Sequence, residues 1–128
     1  MSLVLNDFAS RFSKCWLCGV LAANTWPPHL EIHHIVRGQN RAKVAEKECC
    51  LIRTCQRCHQ ERLDSMPIDK QLALVFLNNP AAYNRMAVNQ LRQRADDAIT
   101  ADEVRIAVRE MEQSFQNGRC PFPRWKFG

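Results

Sequence analysis

Along the second half of the chain, apolar residues recur at helical spacing. Residues 68–78, IDKQLALVFLN, predict one helix, with Pro67 suited to its first turn. NNPAAYNRMAVNQLRQRA predicts a second, with Asn79 as N-cap and Pro80 at the first helical position. TADEVRIAVREMEQSF predicts a third. Thr100 and Glu103 stand at capping-box spacing, and Val104, Ala107, Val108, Met111 and Phe115 share one stripe. Core packing accounts for such stripes, so none is assigned chemistry.

The first half reads differently. LEIHHIV, with Leu30, Ile32, Ile35 and Val36, has the β-branched and apolar content of a strand. HQERLDSM, directly after Cys58, reads as a helix whose start is fixed by the preceding cysteines. The boundary between the two halves falls near Ser65-Met66-Pro67. All four histidines and six of the seven cysteines precede it. At 128 residues a single domain is expected, with a core over 15–64, a helical extension over 66–118 and a tail over 119–128.

Composition narrows the class. No apolar run reaches the roughly 20 residues that cross a bilayer. Asp7 and Arg11 interrupt the N-terminal stretch, which lacks an apolar signal-peptide core. A cytoplasmic protein without a membrane partner is therefore expected. The net charge of +5 is spread over both halves and suits a polyanion without specifying one. The tail, RCPFPRWKFG, combines cations with aromatics, and its prolines exclude a regular helix. It reads as a segment covering apolar surface, or as an arm that stacks on bases and contacts phosphates.

The cysteines carry the strongest signal. Cys15-x2-Cys18 and Cys55-x2-Cys58 can supply four thiolates to one tetrahedral zinc, while an odd total of seven argues against a disulfide scaffold. The 36 residues between the pairs exceed a zinc-ribbon spacing, so an insertion containing LEIHHIVRG lies between the knuckles. Redox dithiols would need a thioredoxin-like strand–helix context. CQRCH also matches a c-type haem attachment pattern, which leaves Cys15 and Cys18 unexplained. Cys49, Cys50 and Cys120 read as small buried hydrophobes, and His29, beside Pro27 and Pro28, as a loop residue.

A four-thiolate zinc leaves His33, His34 and His59 over. On a strand His33 and His34 point to opposite faces and can hardly share a role. C-x2-C, an apolar-Glu-x-His-His-Ile strand and C-x2-C-His in that order resemble the zinc-knuckle type of HNH endonuclease. The matching residues are Cys15, Cys18, Glu31, His33, His34, Ile35, Cys55, Cys58 and His59, and the resemblance covers residues 15–64. It implies an α+β fold: a zinc-stabilised ββα-metal core followed by a mainly helical half.

The resemblance also implies that His33 and His59 bind a catalytic divalent cation such as Mg2+, Mn2+ or Ni2+. His34 would be the general base, with Glu31 beside it in the catalytic set. The partner implied is DNA, cleaved to 5′-phosphate and 3′-hydroxyl ends. Arg37, Arg41, Lys43, Arg53 and Arg57 would then position the backbone, although a solvated basic face explains them equally. The family's Asn, five residues before the second C-x2-C, is Cys50 here; Asn40 lies early in the alignment, so either an unusually arranged loop lets it substitute or Cys50 fills the position structurally. That departure supports an alternative, a weak or inactive zinc-stabilised DNA-binding module. A purely structural zinc protein would leave the three histidines without a role. The C-terminal helices are candidates for a homodimer interface.

Overall fold

The apolar run around the histidine pair forms strand β1, Glu31–His34, antiparallel to β2, Leu51–Thr54. The register sets Glu31 opposite Thr54, Ile32 opposite Arg53, His33 opposite Ile52 and His34 opposite Leu51. Ile35 N–H donates to the Cys50 carbonyl at 2.9 Å and prolongs the ladder. The protein is represented by a computed structural model that describes residues 3–25, 28–36, 47–92 and 98–116. Its architecture is α+β, with a two-stranded hairpin and, among the described residues, five α-helices.

Helix α1, Leu3–Arg11, was not legible as an element in the sequence. It buries Phe8, which packs with Phe12 and Trp16 in an aromatic cluster with ring centroids 5.0–5.7 Å apart. Aromatic pairs at this spacing and tilt are favourable beyond their area, so α1 anchors the first cysteine pair. Helix α2, Gln56–Glu61, starts three residues earlier than HQERLDSM suggests. The reason is local: Cys55 is its N-cap, and the Cys55 sulfur accepts from Cys58 N–H at 3.4 Å. The chain leaves helical geometry at Arg62 (φ −123°, ψ −56°) and makes a 3-10 turn over Leu63–Ser65.

Helix α3 occupies Ile68–Asn78, as its periodicity predicts, and buries five consecutive residues, Gln71 to Val75. It packs against β2 and, most extensively, against α5, Ala101–Gln116. The α5 capping box forms as expected. Glu103 N–H donates to Thr100 Oγ1 at 3.1 Å, and Thr100 N–H donates to Glu103 Oε1 at 3.1 Å. Val104, Ala107, Val108 and Met111 are buried along its stripe, while the side chain of Phe115 lies outside the described residues.

The helix expected from Asn79 and Pro80 begins later. Pro80–Ala82 form only a 3-10 turn, and α4 runs from Arg85 to Arg92. Asn79 is buried and donates from Nδ2 to Glu48 Oε2 at 3.0 Å, so it does not cap. Asn84 caps instead, accepting from Ala87 N–H at 3.0 Å. Residues 93–97 and the tail from 117 onward lie outside the described residues.

One hydrophobic cluster joins both halves, from Phe8, Leu51 and Ile52 to Leu72, Val75, Val88, Val104 and Met111. Among the described residues no helix is long and apolar enough to cross a membrane. Replacing Thr100 by Ala removes one side of the α5 capping box. A loss of about 1 kcal/mol in unfolding free energy is expected by denaturant titration.

Candidate metal centres on one hairpin

The first knuckle is a tight turn. Gly19 N–H donates to the Cys15 carbonyl at 2.9 Å, and Leu17 N–H donates to Cys15 Sγ at 3.4 Å. Gly19 closes the turn at φ +78°, in the left-handed region that other residues enter at a cost. No atom lies within 4 Å of a Cβ built there, so the demand is conformational, not steric. Trp16 N–H donates to the Arg53 carbonyl at 3.0 Å and fastens the turn to β2. The second knuckle is the capped start of α2, where His59 N–H donates to the Cys55 carbonyl at 3.0 Å.

These two turns bring the sulfurs of Cys15, Cys18, Cys55 and Cys58 within 4.8 Å of one another. Cys18 and Cys55 Sγ are 3.9 Å apart. A tetrahedral zinc with Zn–S near 2.3 Å needs sulfurs about 3.8 Å apart, so the group could hold an ion such as zinc. None of the six described cysteines is in a disulfide. The crowding couples the thiols. Hydrogen bonds from Cys18, Cys55 and Cys58 pull Cys15 far below an ordinary thiol, and the corresponding contacts push Cys58 far above one. Four thiolates cannot coexist here without a compensating cation.

A second cluster occupies the other end of α2. His33, His59 and Asp64 each bring a ligand atom within 4.8 Å of the others. The His33 and His59 rings meet edge to face at 5.0 Å. Glu31, two residues before His33 and therefore on the same face of β1, holds His59: Nδ1 lies 2.7 Å from Glu31 Oε1. A carboxylate on Nδ1 leaves Nε2 as the coordinating nitrogen, the usual orientation of a metal-binding histidine. On the opposite side His33 Nε2 lies 2.8 Å from Gln71 Oε1 on α3.

Two participants lie outside the residues the sequence singled out. Asp64 follows His59 by five residues, a spacing that a continuous helix would turn away by about 140°. The break at Arg62 and the Leu63–Ser65 turn bring it back. Gln71 carries a readable signal: with Ile68, Leu72 and Val75 it stands on the core-facing stripe of α3, and it is 4% exposed.

The remaining candidates divide. His34 is the last residue of β1, half-buried, and by the pleat on the face away from His33. Cys50 is fully buried at the end of a 3-10 turn, with its carbonyl engaged by Ile35 N–H and its sulfur 3.8 Å from that of Cys49. Arg53 donates from Nε to the Phe12 carbonyl and from Nη1 to the Leu30 carbonyl, both at 2.9 Å. It is a strap between the knuckle and β1, and desolvation lowers its pKa. Arg57 is half-exposed and pairs with Glu61 at 2.7 Å. His29 is exposed in a loop, as expected, and donates its N–H to Thr25 Oγ1 at 3.0 Å. Arg37, Arg41, Lys43, Asn40 and Cys120 lie outside the described residues. No family model, curated protein or solved structure matches the chain.

Zinc would contribute on the order of 10 kcal/mol to folding in a four-thiolate site. Elemental analysis is expected to find one tightly held zinc per native chain and none in Cys58→Ser, and chelation is expected to unfold the domain by circular dichroism. Since each ligand must shed a proton to bind, zinc affinity should fall as the pH is lowered from neutral.

Proposed function

We propose that the chain is a metal-dependent endonuclease that hydrolyses phosphodiester bonds in DNA. The observation that carries this reading is the convergence of His33, His59 and Asp64 on the hairpin–helix unit, apart from the four cysteines. Two imidazoles and one carboxylate suit a divalent cation that keeps open positions for substrate, whereas four thiolates suit a closed structural zinc. The order of motifs, from the first cysteine pair through Glu31, His33 and His34 to His59, supports the same reading through its resemblance to zinc-knuckle HNH enzymes.

The chain's own residues have distinct tasks. Glu31 orients His59, and the register of β1 with β2 holds His33 buried at the start of that face. A divalent cation held by His33, His59 and Asp64 would supply Lewis acidity where charge develops on the phosphate and the leaving 3′-oxygen. His34, in its neutral form, would accept the proton of the attacking water. Of the two described arginines among the expected backbone contacts, Arg57 is exposed enough to meet a phosphate, whereas Arg53 is engaged within the fold.

A second reading keeps the fold and DNA binding without hydrolysis. Its support is the buried Cys50 at the position where the family's pattern has Asn. Nicking of supercoiled plasmid separates the two. With Mg2+, Mn2+ or Ni2+, the native chain should produce open circles, and His34→Ala should be slower by about 10²–10⁴-fold, the contribution of a general base. Equal nicking by both chains, or none by either, would remove the nuclease reading.

A further inference from the structure

We infer that Gln71 is a positioning residue of the second metal centre: it fixes the proton of His33 on Nε2 and so presents Nδ1 to the cation. The inference rests on the metal-site reading above, and it makes the helical half of the chain part of that site. His33 is 1% exposed and Gln71 is 4% exposed, so water does not set the imidazole's proton. Gln71 donates from Nε2 to the Met66 carbonyl at 2.8 Å. A carbonyl oxygen can only accept, so the amide nitrogen faces Met66 and Oε1 faces His33. Oε1 likewise only accepts. The 2.8 Å contact with His33 Nε2 therefore requires a proton on that nitrogen.

In a neutral imidazole the lone pair then belongs to Nδ1. His59 is set in the opposite sense, its Nδ1 turned to Glu31. The two ligands are thus held by two different hydrogen-bond acceptors, a carboxylate from β1 and an amide from α3. The second acceptor depends on α3 docking onto the hairpin. Met66, whose carbonyl holds the amide, is itself 7% exposed in the shared core. The anchor lies at the junction between the two halves.

The test uses the full chain loaded with one equivalent of zinc. Mn2+ binding is followed by electron paramagnetic resonance, and the His33 tautomer by long-range proton–nitrogen NMR. The native chain is expected to show His33 protonated on Nε2. Gln71→Met matches the length of the side chain but removes the acceptor. It should bind Mn2+ about 10- to 100-fold more weakly, the usual effect of losing an outer partner of a metal ligand, with its zinc retained. Gln71→Glu, buried and carrying its proton, keeps an acceptor for His33 and a donor for the Met66 carbonyl. It should bind Mn2+ about as tightly as the native chain, which keeps the question decidable if the methionine variant does not fold.

An Nδ1-protonated His33 in the native chain, unchanged Mn2+ affinity in Gln71→Met, or weaker binding by Gln71→Glu would overturn the inference. Gln71-dependent Mn2+ binding by a chain that leaves plasmid uncut would uphold it while removing the nuclease reading. A native chain that takes up no Mn2+ beyond its zinc would overturn both.

Discussion

The mutual repulsion of four crowded sulfurs is the constraint on which the rest of the molecule depends. Cys15, Cys18, Cys55 and Cys58 come from turns on either side of the hairpin, and their sulfurs meet within 4.8 Å. The arrangement is favourable only when a cation offsets their charge. Once it does, several positions follow. Cys55 becomes the N-cap of α2, which fixes the helix start and, four residues on, the place of His59. The first knuckle is tied to β2 through Trp16 and Arg53, so β1, β2 and α2 form one unit around the thiolate group.

The second cluster is built on the same unit. Glu31 and His33 share a face of β1 because strand residues alternate, and α2 lays His59 against both. The cluster is closed from outside the hairpin, by Asp64 in the turn after α2 and Gln71 on α3. The chain is therefore less modular than its composition suggests. The break near Ser65 is real in residue usage, yet one hydrophobic cluster runs across it.

The cysteine group, the strand at LEIHHIV, α3 and the α5 capping box were legible because each depends on local spacing or local hydrogen bonding. The residues missed depend on geometry that spacing does not encode. Asp64 joins the site only because the chain breaks at Arg62. Asn79 looked like a cap but is drawn to Glu48, and Asn84 takes its place. Helix α1 is short, and its burial comes from the Phe8–Phe12–Trp16 cluster, a tertiary contact. Arg53 read as a phosphate contact, whereas two of its donors face carbonyls within the fold.

One hairpin and one short helix organise two chemically different groups that could each hold a metal ion. Anomalous diffraction from a crystal of the zinc-loaded protein soaked in Mn2+, recorded at both absorption edges, tests it most directly. A zinc peak is expected centred among the sulfurs of Cys15, Cys18, Cys55 and Cys58, and a separate manganese peak between His33, His59 and Asp64. A single peak at the cysteines, with no manganese at the histidines, would contradict it.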